Sequence, residues 1–474
     1  MEAPSHVDIA VVGSGYGGAV MARRFAEAGA KTAIFERGAV YDSKNVSRSL
    51  TPFTETELYR VIWSIDGRTK FRIPSIIGGG SVVSHGVCLR SPAEVFSYQK
   101  NGRRSWPEGI DRAAMDPFYE IAERELGARQ ISAKDVASSG YVMGEMLFAA
   151  GHSADRCRTV ISGCTGCGLC EAGCASRRKK DLSANYLSKA TIAGAKLFDR
   201  AEVKFIRKVG GVYAITIRDG SGNSYEVAAD KVILAAGAVG APALLAASAG
   251  YLPISEEQFN REISVNGELI FAAALPKKHE GLVCWKGGSH AGLVSYSFFN
   301  SNKFVLHAAS THPSFFGRYE ISLPGKRAFG LENKQFIRSA LPGSFVSGYI
   351  TGISETRARL QYKKNKISVE WAFQDMGYHN RVWDSLQAAF AKSGATLCWT
   401  KPGGLAQGGR TLLGSVRMAD SKEHGGCDRW GGIWGMENII VADGAAIPAD
   451  TAVPSSLTVA ANAERIASHW VKAG

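Results

Sequence analysis

Chemistry in this sequence is concentrated in a few short stretches. Near the start, Gly13-Ser14-Gly15-Tyr16-Gly17-Gly18 gives the spacing G-x-G-x-x-G, and Glu36 follows 18 residues beyond the last glycine. Each part has a physical use. Gly13 permits a tight turn, Gly15 lets backbone approach a pyrophosphate at a helix N-terminus, Gly18 lets the helix pack close to its strand, and the Glu36 carboxylate can accept ribose hydroxyls. Farther on, Cys164, Cys167, Cys170 and Cys174 have the C-x2-C-x2-C-x3-C spacing of a bacterial ferredoxin, with Gly163, Gly166, Gly168 and Gly173 supplying turn freedom. Ala175 stands where proline is expected, and no second cysteine set follows. Two readings stay open: a [4Fe–4S] or other metal centre, or thiols or a disulfide in a structural loop.

These groups need elements to hold them. Val7 to Val12 reads as a buried strand, the glycine turn opens a helix to about Ala28, and Lys31 to Phe35 is a second strand ending at Glu36. That is a βαβ start, the setting in which the glycine spacing gains its meaning. Trp106-Pro107 to Leu126 reads as a turn and an amphipathic helix, Asp181 to Ala195 as helical, Val203 to Ile206 as a strand, and Asp219-Gly220 as a hairpin tip. Val232 to Gly250 is uncharged but divides into a β-branched run, a glycine turn and a Leu/Ala helix carrying Pro242, which suits a buried strand and helix better than a membrane span. Alternating runs such as Phe304 to Ala308 and Ala358 to Tyr362 suggest antiparallel strands, and Ile439 to Gly444 followed by Ser456 to Val471 is again strand, turn and helix.

Length and composition bound the class. At 474 residues, two or three domains are expected. Hydrophobic residues at 45% and charged residues at 21% exclude a disordered or fibrous chain, and 54 glycines against 15 prolines point to many tight turns. The net charge of +13 is spread out, with one dense run, Arg177-Arg178-Lys179-Lys180, and no nucleic-acid signature, so no nucleic-acid partner is expected. The chain shows no secretory leader and no transmembrane segment, which makes a cytoplasmic location the expectation.

Taken together and in order, the motifs resemble the glucose-methanol-choline (GMC) flavoprotein oxidoreductases, most closely their cholesterol-oxidase-like branch. The residues that carry this are Gly13 to Gly18 with Glu36, Ile77-Gly78-Gly79-Gly80-Ser81-Val82-Val83, Trp106-Pro107 with Asp116 to Tyr119, Val232 to Pro242, Asn266-Gly267, and Val441-Ala442-Asp443-Gly444 with Ser456 to Val459. The resemblance implies an α/β fold: a discontinuous Rossmann-like FAD-binding domain (1–125, 185–265 and 425–474), a Cys-rich loop (155–184), and an α+β substrate domain (266–424) whose antiparallel sheet covers the flavin. It implies FAD held by Gly13, Gly15, Gly18, Glu36, Gly79, Gly80, Ser81, Val203, Ala236, Gly237, Asp443 and Gly444. Val83 occupies the position used for histidyl linkage in some members, so non-covalent FAD is expected.

The sequence departs from that family at the catalytic centre. Where members carry His-Pro-x-Gly-x-x-x-Met, this chain has Thr411-Leu412-Leu413-Gly414-Ser415-Val416-Arg417-Met418, so Thr411 stands in the histidine position. The second catalytic position falls in Val453-Pro454-Ser455-Ser456, where Pro454 and Ser455 supply no titratable group. His85, shortly after Gly79-Gly80-Ser81, is the replacement base this reading offers, against a hydrogen-bonded core histidine. His290, His307, His312 and His379, each taken alone, read as structural or exposed. The expected activity is oxidation of a hydroxylated small molecule, sterol-, sugar- or natural-product-like. The alternatives are a flavin-dependent isomerase, lyase or desaturase, or an FAD/iron–sulfur dehydrogenase serving an electron-acceptor protein.

Overall fold

A computed structural model describes residues 4–42, 58–310, 345–397 and 411–472, less 68, 101, 260–261, 277–278, 280–281 and 364–365, together with 322–323 and 326–327. His312 therefore lies outside the described residues.

The apolar run at the N-terminus becomes β1 (His6–Val12), and the glycine turn leads into α1 (Tyr16–Glu27) and then β2 (Thr32–Phe35). β1 pairs in parallel with β2 on one side and with β3 (Ser224–Leu234) on the other. Lys196–Phe198 continues the parallel pairing beyond β2, and Ile439–Val441 pairs in parallel with the end of β3. The first half of β3 instead pairs antiparallel with Val212–Arg218, which in turn pairs with Glu202–Val209. Strand ends are in register, with Val12 opposite both Phe35 and Leu234, and Leu234 opposite Val441. Gly13, Glu36, Ala235 to Gly237 and Ala442 to Gly444 consequently leave the sheet along one edge, the carboxyl-end crevice where open α/β sheets bind nucleotides. Helix α2 (Gly237–Ser248) follows β3 at that edge.

A second sheet has six strands, in the order Thr396–Leu397, Leu269–Ala274, β6, β5, β4 and Asp155–Arg156, where β4 is His290–Ser295, β5 is Phe304–Ala309 and β6 is Phe345–Gly352. Every neighbouring pair is antiparallel. Phe304, Leu306 and Ala308 of β5 join a core with Met143, Leu147, Val382 and Phe390 from helices Ser138–Ala149 and Met376–Ala391, whereas Val305 joins the core of the first sheet. The period of two in β5 thus turns alternate residues toward the nucleotide-binding unit. Arg357–Lys363 pairs with Lys366–Phe373 and Ile263–Ser264 in a separate three-stranded sheet.

The two chain ends meet. Helix α3 (Ser456–Trp470) packs on α1, and its buried Glu464 accepts hydrogen bonds from Arg24 Nε at 2.7 Å and from the Tyr186 hydroxyl at 2.7 Å. The segment read as one helix from Asp181 to Ala195 is a 3-10 turn, Leu182–Ala184, then a helix, Tyr186–Ile192. Asn185 separates them because its backbone leaves the helical region and its side chain caps Tyr186 N.

Candidate active site

The glycine loop is fixed by close approach. A Cβ on Gly13 would lie 2.4 Å from Ala235 O, one on Gly17 2.2 Å from Ala442 O, and one on Gly18 2.0 Å from Gly13 O. Gly15 differs, because nothing lies within 4 Å of where its Cβ would point. Gly15 is also the N-cap of α1 and supplies no side-chain cap, which leaves the first-turn N–H groups directed at that open space. Glu36 is buried. It accepts from Ser14 N at 3.0 Å, Ser14 Oγ at 2.8 Å and Gly38 N at 2.9 Å, so the carboxylate holds the glycine loop as well as facing the crevice. Val203 lies half-buried at a bulge on the edge strand, five residues beyond Phe198, whose O accepts from Glu36 N.

The second glycine run lies against the first. Gly78 N donates to Ser14 Oγ at 3.0 Å, and a Cβ on Gly79 would sit 3.0 Å from Gly15 Cα. Gly78 and Gly79 have φ of 85° and 50°, a conformation glycine adopts without strain. Gly80 opens a short helix, and Ser81 Oγ donates to Gly78 O and accepts from Leu182 N. From the third side, Asp443 accepts from Gly237 N at 2.5 Å and Ala445 N at 2.8 Å. Burial pushes its carboxyl up to about 6, against the lowering effect of those bonds. Ala236 and Gly237 form the turn into α2, and a Cβ on Gly444 would lie 3.4 Å from Leu412 O.

The sequence matches the GMC oxidoreductase family over residues 10–251 for its N-terminal unit and 405–463 for its C-terminal unit. The chain belongs to the GMC oxidoreductases. It is 27% identical to an uncharacterised GMC-type oxidoreductase of Mycobacterium tuberculosis over 65% of this chain and 48% of that protein, so it matches about half the length of that relative. A cholesterol oxidase of Mycobacterium tuberculosis is 25% identical over 98% of this chain and 91% of its own. A long-chain-alcohol oxidase of Arabidopsis thaliana is 21% identical over 98% and 68%. Among solved structures, pyridoxine 4-oxidase from Mesorbium loti superimposes with a TM-score of 0.71 at 16% identity, covering 98% of this chain and 99% of that one. GMC oxidoreductases bind FAD, and three observations fit it here: open space over Gly15, an uncapped helix N-terminus, and glycine segments that meet where a Cβ would intrude.

The segment that leaves the second glycine run carries His85 into a cluster of imidazoles. His85 Nε2 lies 3.1 Å from Glu171 Oε1, and its ring stands edge-on to Tyr349, centroids 5.7 Å apart. Tyr349 also stacks on His307 at 4.5 Å, and His290 lies edge-on to both. His307 Nε2 meets Thr351 Oγ1 at 2.9 Å, and Thr351 Oγ1 donates to Ala452 O at 2.8 Å. The Thr451 to Val453 turn, which leads to Pro454 and Ser455, is held by Asn266: its Oδ1 accepts from Thr451 N and Ala452 N, and its Nδ2 donates to Val453 O. Burial, followed by the charge of His85, lowers His290 to about 3; burial, then His290 and His85, holds His307 well below its ordinary value. Ser455 caps α3 with its backbone only, and Thr411 is half-buried beside the Leu413–Ser264 bridge.

The cysteine loop touches this cluster from behind. Lys179, fully buried within the basic run, donates to Val82 O at 2.7 Å, Ser84 O at 2.6 Å and Cys170 O at 2.9 Å, and so binds the His85 segment to the turn that presents Glu171. Cys164 Sγ accepts from Gly166 N, and Cys174 Sγ from Lys179 N. Although burial works against it, hydrogen bonds from Ser176, Lys179 and Arg178 hold the Cys174 thiol below its usual value. Cys170 is buried and Cys167 exposed. Among the described residues, His6, Asp8 and Asp230 are the trio whose ligand atoms gather within 4.8 Å, so no three of the four thiols do. His379 is buried in Met376–Ala391, packed near Tyr378 and away from the imidazole cluster's hydrogen bonds. Sequence reading missed Tyr349 and Thr351 and did not join His290 to His307, because strand register brings them together and spacing does not reveal register, and it missed Glu171 and Lys179, which a loop contact brings to His85.

Proposed function

We propose that this chain is an FAD-dependent oxidoreductase that oxidises a hydroxylated small molecule, with His85 and Glu171 doing the proton work that Thr411 and Ser455 cannot do near neutral pH. FAD, when bound, supplies the hydride acceptor. The carrying observation is the 3.1 Å contact between His85 Nε2 and Glu171 Oε1 at the inner end of the segment that follows Gly79-Gly80-Ser81. A carboxylate on one ring nitrogen orients the imidazole and stabilises the imidazolium formed when it accepts a hydroxyl proton. Lys179 fixes both partners through backbone carbonyls and keeps the pair from separating. The cholesterol and alcohol oxidases among the relatives, and pyridoxine 4-oxidase among the structures, support an alcohol as substrate. The family's binding of FAD and Val83 at the linkage position support a non-covalent cofactor, and the described residues include no helix long and apolar enough to cross a membrane.

General-base loss typically slows a reaction by about 10²–10⁴-fold, so His85→Ala should slow anaerobic flavin reduction by that range while FAD content stays at the wild-type level. A rate within a few-fold of wild type removes His85 from the reaction. Flavin that cycles without net reduction would favour an isomerase where the product is isomeric to the substrate, or a lyase where two products together make up the substrate, over an oxidoreductase.

A further inference from the structure

The imidazoles of His290 and His307 lie on neighbouring strands β4 and β5, fully enclosed, with ring centroids 5.7 Å apart. Their proton positions follow from their partners. His290 Nδ1 accepts from Gly292 N–H at 3.0 Å, so the proton of the neutral ring is on Nε2. Thr351 gives its one hydroxyl proton to Ala452 O, so its oxygen accepts from His307 Nε2–H and leaves His307 Nδ1 as a lone pair. The two remaining atoms, His290 Nε2–H and His307 Nδ1, have no hydrogen-bond partner among the described residues. One is a donor and the other an acceptor.

Buried polar atoms without partners oppose folding, so a native site that keeps them is completed by another group, whether water, an ion or a ligand. Here the incomplete atoms come from two strands, and both rings contact Tyr349, which also touches His85. The Thr351 bond connects His307 to the Ala452 turn beside Pro454 and Ser455, so the pair adjoins the turn that carries the family's second catalytic position. Neither ring is suited to storing a proton, because both are held neutral by burial. Their capacity is for neutral hydrogen bonds.

We infer that His290 and His307 form a recognition pair for a neutral substrate that carries a second polar group beside the reacting hydroxyl, as in a polyol or a hydroxymethyl heterocycle. That group accepts from His290 Nε2–H and donates to His307 Nδ1. The inference rests on the proposed function, in which His85 serves the reacting hydroxyl. An alkyl alcohol or a sterol, whose only polar group is the reacting hydroxyl, would bury both imidazole atoms without completing them. A site that hydrogen-bonds its ligand rejects analogues lacking the group far more strongly than an apolar pocket rejects a misfit.

The test uses FAD-loaded protein labelled with 15N-histidine and four probes: pyridoxine, glycerol, 1-dodecanol, and cholesterol in detergent micelles. At pH 7 without probe, ring signals should show His290 protonated at Nε2 and His307 unprotonated at Nδ1. Pyridoxine or glycerol should shift both sets of signals and perturb the flavin absorption band, and the other two should not. His307→Leu should weaken the polar probe at least tenfold with FAD content unchanged. His307→Gln, which keeps an acceptor, should fall between and guards against misfolding of the first variant. A proton on His307 Nδ1, no response to either polar probe, equal binding of dodecanol or cholesterol, or unchanged affinity in His307→Leu would each overturn the pair's role. Polar probes that bind in this way while no alcohol reduces the flavin would break the proposed function and leave the recognition pair standing.

Discussion

Replacing Glu36 with alanine should destabilise the protein before any cofactor is considered. The carboxylate is buried and accepts three hydrogen bonds, two from the backbone at Ser14 and Gly38 and one from Ser14 Oγ. Hydrogen bonds to a charged acceptor contribute about 1.5–3 kcal/mol each. Ser14 Oγ keeps an acceptor role toward Gly78 N, so the two backbone donors dominate the loss. That places the cost near ~3–6 kcal/mol, reduced toward the lower end if water reaches the vacated space. An ionised carboxylate has about four lone-pair sites, and three are used within the protein. One is left for a ribose hydroxyl, so the separate loss in FAD affinity is a single charged bond, about 1.5–3 kcal/mol or roughly 10- to 150-fold. The assay has two arms: thermal melting of apoprotein, and titration of apoprotein with FAD followed by flavin fluorescence. Glu36→Gln should recover part of the stability, because one amide oxygen can still accept. An apoprotein melting temperature unchanged in Glu36→Ala would refute the structural half of the reasoning, and unchanged FAD affinity would refute the ribose half.

Gly15→Ala should fold normally yet bind FAD more weakly, since its Cβ meets open space in the protein alone, whereas Gly18→Ala should fail to fold well because its Cβ would lie 2.0 Å from Gly13 O. Circular dichroism and FAD titration on the two variants separate these outcomes. His290, lowered to about 3 by burial and then by His85, gives an acid-side slope. Its folded value lies below the unfolded ~6.5, so the unfolded chain binds the extra proton and stability falls as pH drops from about 6.5 toward 3, by up to about 5 kcal/mol for this group. Denaturant melts across that range should show the slope, and His290→Gln should lessen it, the remainder coming from His307, which burial also holds below its ordinary value. Iron and acid-labile sulfide should be absent from anaerobically purified protein if the cysteine loop acts only through the Lys179 and Glu171 contacts; stoichiometric iron with a visible shoulder lost in Cys167→Ser would show a cluster instead.

The glycine turns of the first sheet are legible in the sequence because residue type and spacing alone mark where the backbone must come close. Gly18 excludes a Cβ through Gly13 O inside the βαβ unit, Gly13 and Gly17 exclude one through Ala235 O and Ala442 O at the ends of the other parallel strands, and an acidic residue at the end of β2 needs only strand length to reach the loop. The imidazole cluster is not legible in the same way. His290 sits on β4, and His307 faces it only because Val294 pairs with His307 across an irregular register that shifts between His290 and Val294. A one-residue slip would turn His307 to the other face, and no spacing in the sequence fixes that register. Alternation also marked Ala358 to Tyr362 as a strand without showing that it belongs to a separate sheet with Lys366–Phe373. Glu171 was hidden for a different reason. It lies inside the cysteine motif, where a search for ligands draws attention to sulfur, and its role depends on Lys179 folding the loop back onto Val82 and Ser84.

The departures at Thr411 and Pro454 are compatible with an intact cradle because the fold holds the two through different contacts. Cofactor-facing loops are held by the first sheet, by Glu36 and by Asp443, and none of those contacts passes through Thr411 or Pro454. The turn before Pro454 is held from the opposite side, by Asn266 and by the His307–Thr351 bond. Substituting the side chains at the two family positions therefore leaves both the cradle and the turn intact, and under the proposed function the handling of a substrate proton falls to groups already anchored nearby. His85 is the one among them with a carboxylate at hydrogen-bond distance. An enclosed imidazole without such a partner, as at His290 or His307, stays neutral and can only recognise. One cluster can thus supply both a base and a polar recognition pair, and what separates the two roles is which ring has an acid beside it.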